Sequence, residues 1–141
     1  MHKRERTIII GLGRLGSSIA AKLSAKGHEI VVIDKDSDSF RKLSDSFSGY
    51  QIVGDVIDID VLENAGIAKA KTVVATTDDD NVNIMIAEIC FYIYDIPNIF
   101  VRLTDHDKSI LIKSTNIHAI YPFLLSMDEF DRIASESEVG I

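Results

Sequence analysis

The feature that most constrains this chain is a glycine-rich loop between a short apolar run and an amphipathic segment. The motif Gly11-x-Gly13-x-x-Gly16 follows the apolar residues 7–10 directly. In such loops the first glycine permits a tight turn, the second lets the backbone approach a phosphate, and the third lets the helix pack against the strand. Free N–H groups and the dipole at the helix start favour an anion there. The loop therefore predicts a nucleotide-binding fold.

An acidic residue follows at the position where such folds hold a ribose. Asp34 ends the second apolar run, 18 residues after Gly16. Its carboxylate can accept hydrogen bonds from ribose hydroxyls and would repel a 2′-phosphate, so NADP is disfavoured. The alternative interpretation is that Asp34 only caps the next turn.

Short β-branched runs alternate with longer amphipathic segments along the whole chain. This rhythm predicts one α/β domain over residues 1–141, a Rossmann-like doubly wound six-stranded parallel sheet of order 3-2-1-4-5-6 with a C-terminal crossover helix. The predicted strands are residues 7–10, 29–33, 50–53, 72–75, 98–102 and 118–121. The predicted helices are residues 14–26, 36–47, 58–64, 79–94, 106–114 and 123–135.

The acidic composition restricts the partners of the chain. Its formal net charge of −7 argues against nucleic acid and against an anionic membrane surface, both of which attract basic proteins. No apolar run approaches the roughly 20 residues that cross a bilayer. We expect a cytoplasmic domain unless something outside this chain tethers it. The lone cysteine, Cys90, lies in an apolar run and is predicted to be buried and structural.

No catalytic or metal-binding constellation stands out. Of the four histidines only His106 follows the carboxyl end of a predicted strand, and no Ser-His-Asp, Cys-His or metal-ligand spacing is found. The acidic run Asp78-Asp79-Asp80 is more typical of a helix N-terminus than of a cation site. We therefore expect neither catalysis nor a metal. The alternatives are the cofactor domain of an NAD-dependent oxidoreductase and a non-catalytic redox sensor.

Further blocks of sequence point to one family. They are Gly-Leu-Gly-Arg-Leu-Gly at 11–16, Val-Val-Ile-Asp-Lys-Asp at 31–36, Gly-Asp at 54–55, Leu-Glu-Asn-Ala-Gly-Ile at 62–67, Val-Val-Ala-Thr-Thr-Asp-Asp at 73–79 with Asn81 and Asn83, and Val-Arg at 101–102. In this order they resemble the N-terminal RCK domain, also called the TrkA-N domain, which regulates potassium channels and transporters.

The resemblance implies roles for residues at the ends of the predicted strands. Asp34 would hold the ribose, Asp55 would lie beside the adenine, and Thr76 and Thr77 would lie next to the phosphates. Arg14 and Arg102 would supply positive charge. The predicted nucleotide-binding residues are Gly11, Gly13, Arg14, Leu15, Gly16, Asp34, Lys35, Asp55, Val56, Thr76, Thr77, Asn81 and Arg102. From the residues alone, Asp55 could instead be a turn residue, and Arg102 could pair with Asp105 or Asp107.

The resemblance also implies a function. The domain would be a regulatory subunit, similar to Trk and Ktr subunits, that gates an integral-membrane potassium transporter or channel when a nucleotide rearranges an oligomer. Asp34 suits any unphosphorylated ribose, so NAD(H) and ATP or ADP stay open as ligands. The oligomer would be a homodimer or a higher ring such as an octamer. Many family members carry a C-terminal ligand-sensing domain, which this chain of 141 residues is expected to lack.

Two segments look like interfaces. Residues 79–94 are apolar around most of the predicted helix, which indicates a contact with another subunit or, alternatively, a helix deep within one domain. In the RCK family the helix that corresponds to residues 123–135 crosses to a partner domain, so the resemblance implies a dimer-crossing helix here.

Overall fold

The computed structural model describes residues 5–137, which form a six-stranded parallel sheet flanked by helices. The strand order β3-β2-β1-β4-β5-β6 confirms the predicted fold class and topology. The strands are β1 (Arg6–Ile10), β2 (Glu29–Asp34), β3 (Tyr50–Val53), β4 (Thr72–Ala75), β5 (Asn98–Arg102) and β6 (Ile117–Ile120).

Helices and short 3-10 segments connect the strands. In the described part of the chain the helices are α1 (Arg14–Ala25), α2 (Ile59–Asn64), α3 (Asp80–Tyr92) and α4 (Pro122–Glu136). The 3-10 segments are Ser37–Lys42, Ile67–Lys69 and His106–Ile112. The segment predicted as a helix over residues 106–114 is thus a 3-10 segment. The other predicted helices, with one exception, begin and end within a few residues of their predicted positions.

The exception is the helix predicted over residues 36–47, and that prediction was wrong. Only Ser37–Lys42 is helical, as a 3-10 segment, and the backbone is extended at Leu43 with ψ of 141°. The hydroxyl oxygen of Ser44 then accepts a hydrogen bond from the backbone N–H of Ser46 at 3.2 Å. Serine side chains that bond nearby backbone groups in this way compete with helix formation.

The sheet buries apolar side chains on both faces, which explains why its strands read as continuous apolar runs. One face packs against α2 and α3 through residues that include Ile8, Ile10, Val73, Ile86 and Ile99. The other face packs against α1 through Ile9, Leu12, Ala20, Ile30, Val32 and Val74. Cys90 lies in the first cluster, where burial raises the pKa of its thiol to about 12. The prediction that Cys90 is buried is therefore confirmed.

Helix α3 is not buried on all sides. Its inner face, which includes Ile84, Ile86 and Cys90, is buried against the sheet. Met85 and Tyr92 remain exposed on α3, as does Ile93 directly after it. The apolar residues of this segment that do not face the sheet therefore form an exposed apolar surface in the single chain. They are not buried within the domain.

Helix α4 leaves most of its apolar side chains uncovered. Of its residues only Ala134 is buried. Its exposed apolar side chains are Phe123, Leu125, Met127, Phe130 and Ile133. None of the helices between residues 5 and 137 combines the length and the apolar character that a bilayer crossing requires.

Candidate functional site

A cleft opens above the carboxyl ends of the central strands. It has a volume of about 540 Å³ and lies where the strand order reverses between β1 and β4, the position at which open α/β sheets bind ligands. Most of the predicted nucleotide-binding residues line it, namely Gly11, Gly13, Asp34, Lys35, Asp55, Val56, Thr76, Thr77 and Arg102.

Two glycines of the loop are required by close packing. Gly11 has a φ of +92°, and a Cβ atom there would lie 2.6 Å from the backbone nitrogen of Thr77. A Cβ atom on Gly16 would overlap the carbonyl oxygen of Gly11 and lie 2.6 Å from Oγ1 of Thr76. No side chain fits at either position, because the start of α1 lies directly against the ends of β1 and β4 there.

Gly13 differs from the other two glycines. Its φ of −79° is open to any residue, and a Cβ atom there would meet nothing within 4 Å. Gly13 lines the cleft, and a side chain at this position would have room among the residues that the structure describes. Open space at the start of a helix is a feature of anion-binding helix termini.

The N-terminus of α1 is uncapped. Gly13 is the N-cap residue, it provides no side-chain acceptor, and the first turn contains no acidic residue. Backbone N–H groups at the start of a helix need partners from outside the helix. Arg14, Leu15 and Gly16 lie in this first turn, and none of the three belongs to the cleft lining. The side chain of Arg14 is exposed.

The Asp34 side chain connects the end of β2 to the glycine loop through hydrogen bonds. One carboxylate oxygen accepts a hydrogen bond from the N–H of Leu12 at 2.8 Å, and the other accepts one from the N–H of Asp36 at 2.9 Å. The carboxylate therefore does stabilise the following turn, as the alternative interpretation holds. An ionised carboxylate has about four acceptor positions, so acceptor capacity for ribose hydroxyls remains.

Several residues of the cleft lining were not predicted from the sequence. They are Leu12, Asp36, Ser39, Lys42, Ile57, Asp78, Asp79 and Val82. Lys42 comes from the incorrectly predicted helix, and its Nζ donates a hydrogen bond to the carbonyl oxygen of Leu12 at 3.1 Å. Asp78 and Asp79 follow the end of β4 by three and four residues, and this position was a usable signal because strand ends meet at the cleft.

A buried asparagine fixes the ends of β4 and β5 relative to each other. Asn83 is fully buried, and its Oδ1 accepts a hydrogen bond from the N–H of Thr77 at 2.9 Å. Its Nδ2 donates to the carbonyl oxygen of Arg102 at 2.8 Å. Thr76 donates from Oγ1 to the carbonyl oxygen of Gly11 at 2.8 Å, which fixes β4 to the glycine loop. Asn81 lies outside the cleft lining, where its Oδ1 accepts a hydrogen bond from the Lys108 side chain.

The acidic run after β4 forms the start of α3, as predicted. Asp79 is the N-cap residue and accepts hydrogen bonds from two N–H groups of the first turn. The buried Asp80 accepts hydrogen bonds from the N–H groups of Thr104 and Asp105, both at 2.9 Å. Burial acts to raise the pKa of Asp80, but these hydrogen bonds and the charge of Lys108 outweigh it, so the pKa lies below its usual value. Between residues 5 and 137 no cluster of His, Cys, Asp and Glu side chains suits a metal ion.

Asp55 and Arg102 both face the cleft. Asp55 accepts a hydrogen bond from the N–H of Ile57 at 3.1 Å, so it is a turn residue and a cleft residue at once. Arg102 is half-buried, and within the described residues its side chain forms no ion pair, so the alternative pairing with Asp105 or Asp107 is absent there. The guanidinium group is therefore available to an anion in the cleft.

His106, the one histidine considered for catalysis, lies outside the cleft lining. Its ring packs against the ring of Tyr121, with 5.1 Å between their centroids.

Comparison with known proteins connects this architecture to potassium transport. Residues 7–122 match the model of the TrkA-N domain. The Trk system potassium uptake protein TrkA of Streptomyces coelicolor is 33% identical over 125 residues, which cover 89% of this chain and 56% of that protein. The TrkA homolog of Pyrococcus horikoshii is 36% identical over 103 residues, which cover 72% of this chain and 44% of that protein. The chain thus spans about half the length of these relatives.

Solved structures of the GsuK channel share the fold. One has a TM-score of 0.80 at 21% identity and covers 99% of this chain and 25% of that chain. GsuK bound to NAD has a TM-score of 0.72 at 17% identity, with 91% of this chain and 23% of that chain covered. GsuK bound to ADP has a TM-score of 0.74 at 18% identity, with 96% and 36% covered.

Proposed function

This chain belongs to the TrkA-N domain family, and on that premise we propose that it is a nucleotide-binding regulatory domain of a potassium transport system. The observation that carries the proposal is the cleft at the switch point of the sheet. There the uncapped start of α1, the open space at Gly13 and the carboxylate of Asp34 lie together. This combination suits a ribose next to a phosphate.

Each part of the cleft has a role in the proposal. Asp34 accepts hydrogen bonds from the ribose hydroxyls, and Asp55 lies at the adenine end. The N–H groups at the start of α1 bind the phosphates, with Arg102 supplying positive charge beside them. Lys35, Val56, Thr76 and Thr77 complete the walls. An unphosphorylated ribose is favoured, because a 2′-phosphate would meet the charge of Asp34. NAD(H), ADP and ATP are the candidate ligands, and relatives of the fold are known with NAD and ADP bound.

The proposed role is regulatory and non-catalytic. A cofactor domain of an oxidoreductase would place a proton donor or acceptor beside the nicotinamide. His106, the histidine considered for such a role, lies outside the cleft lining and packs against Tyr121, and the relatives that match the chain are named as potassium uptake proteins. A redox sensor that distinguishes NADH from NAD without turnover would use the same cleft and is a special case of the proposal.

Regulation by this domain requires an assembly whose arrangement a ligand can shift. A ligand shifts such an equilibrium only when it binds one arrangement better than the other. We propose a homodimer, or a larger ring such as an octamer, on the cytoplasmic side of an integral-membrane potassium transporter or channel. The exposed apolar residues of α3 and α4 supply the surfaces for contacts between copies of the domain.

The Asp34→Ala variant tests the ribose contact. It should bind NADH and ADP more weakly by about 1.5–3 kcal/mol, the contribution of a hydrogen bond to a charged group. Calorimetric titration of the nucleotide-free protein measures this loss. The matched control is Asp38→Ala, which removes an exposed carboxylate outside the cleft lining. Unchanged affinity in Asp34→Ala, with a thermal unfolding curve like that of the wild type, would refute the ribose assignment.

The double variant Phe123→Ala/Phe130→Ala tests the assembly surface on α4. Both rings are more than half exposed in the single chain. Burial of each ring between subunits would contribute about 1.5–3 kcal/mol, so their loss should weaken dimerisation about a hundredfold or more. Light scattering across a dilution series measures the effect. Asp128→Ala/Asp131→Ala is the control, since it truncates two exposed polar residues of the same helix. A monomeric wild type, or equal dimerisation in both double variants, would contradict the proposal.

A further inference from the structure

The charges that line the cleft are distributed unevenly. The half above β2 and β3 contains the two lysines Lys35 and Lys42 beside the carboxylates of Asp34, Asp36 and Asp55. Among the described residues, the half above β4 and β5 contains a single cation, Arg102, with Asp78 and Asp79. The glycine loop lies between the halves because β1 lies between β2 and β4. A ligand whose ribose is held by Asp34 therefore extends past the glycine loop into the half that contains Asp78 and Asp79.

The two carboxylates of this second half, those of Asp78 and Asp79, differ in the hydrogen bonds that they accept within the protein. Asp79 accepts hydrogen bonds from two N–H groups of α3, where the helix dipole favours its negative charge. Asp78 is exposed, and its carboxylate accepts no hydrogen bond from the residues that the structure describes. Its acceptor positions therefore stay available to whatever enters this half of the cleft.

Different adenine nucleotides would place different groups beside Asp78. The terminal phosphate of a nucleoside triphosphate would bring a concentrated negative charge close to this carboxylate, with only Arg102 to balance it. A dinucleotide carries its two phosphates at the glycine loop and extends a second ribose beyond them. Ribose hydroxyls are hydrogen-bond donors, which a free carboxylate accepts, and the apolar side chain of Val82 lies in the same half.

We propose that this cleft selects a dinucleotide, two nucleosides joined by a diphosphate, over a nucleoside triphosphate, and that Asp78 sets the preference. The proposal rests on the function proposed above and specifies the ligand class of the same cleft. Asp78 is exposed, so water screens most of its repulsion of a like charge a few ångströms away, and the remaining repulsion changes affinity by about tenfold.

The test compares NADH, ADP and ATP by calorimetric titration of the nucleotide-free protein in a buffer without divalent cations. The wild type should bind NADH at least about tenfold more tightly than ATP, with ADP between them. Asp78→Asn should strengthen ATP binding about tenfold and leave NADH binding equal or slightly weaker. Asp45→Asn is the control, because it removes the same charge from an exposed position outside the cleft lining.

The outcomes separate this inference from the proposed function. Binding of ATP as tight as that of NADH, or an ATP affinity that Asp78→Asn leaves unchanged, overturns the inference while the nucleotide-binding function stands. An equal gain for ATP in Asp45→Asn also overturns it, since the effect would then come from net charge. A wild type that binds none of the three nucleotides overturns the proposed function and the inference together.

Discussion

Gly13→Val is expected to abolish nucleotide binding while the domain stays folded. The side chain would project into the open space at the start of α1, where no protein atom lies within 4 Å of the new Cβ. That space is needed by a phosphate, so the variant would block the N–H groups of the helix start. Loss of hydrogen bonds to a charged group, each contributing about 1.5–3 kcal/mol, predicts a loss of affinity of a hundredfold or more.

The fold should tolerate this change for a conformational reason. Gly13 has φ of −79° and ψ of −162°, an extended backbone that β-branched residues prefer. Calorimetric titration and a thermal unfolding curve, measured on the same sample, separate the two effects. The prediction fails if Gly13→Val binds nucleotide like the wild type, or if it loses binding only because it has unfolded.

Gly16→Ala is expected to do the opposite, because it should damage the fold itself. The added methyl group would overlap the carbonyl oxygen of Gly11 and come within 2.6 Å of Thr76 Oγ1. Relief requires α1 to move away from the ends of β1 and β4. Overpacking of this kind costs about 1–3 kcal/mol, and a clash with backbone belongs at the upper end of that range.

Urea unfolding at fixed temperature measures the loss of stability in Gly16→Ala. The control is Gly13→Ala, which adds the same methyl group three residues earlier, where there is space for it. That control should match the wild type within about 1 kcal/mol, because Ala in place of Gly reduces the entropy of the unfolded chain without strain here. Equal unfolding midpoints for Gly16→Ala and Gly13→Ala would show that the close packing at Gly16 has no energetic consequence.

The sequence predicts the sheet well because its strands obey one simple rule. Buried parallel strands are apolar on both faces, so runs such as those of β1 and β2 stand out at once. The glycine loop and Asp34 then fix the position of the cleft, because they lie at the ends of neighbouring strands. Fold class and strand order follow from these features, whereas the roles of Asp55, Thr76, Thr77 and Arg102 in the cleft were expected from the family resemblance.

The sequence predicts the connections less well, because side chains there compete with the backbone. Residues 36–47 have the length and apolar content of a helix, but local hydrogen bonds at Ser44 and Ser46 favour turns instead. The position of Lys42 in the cleft depends on that irregular segment, so no periodic pattern indicates it. The burial of Asp80 cannot be predicted from the local sequence either, because its hydrogen-bond donors, the N–H groups of Thr104 and Asp105, belong to a loop far away in the sequence.

The uncapped start of α1 also links ligand supply to the lifetime of the protein. Neither Gly13 nor an acidic side chain of the first turn caps the N–H groups at this helix end, whereas a bound phosphate would satisfy these groups and the helix dipole together. A ligand that binds only the folded state stabilises it by about 2.7 kcal/mol at a concentration one hundred times its dissociation constant. We therefore expect the empty domain to unfold and be degraded faster in cells, so that its abundance follows the concentration of its nucleotide.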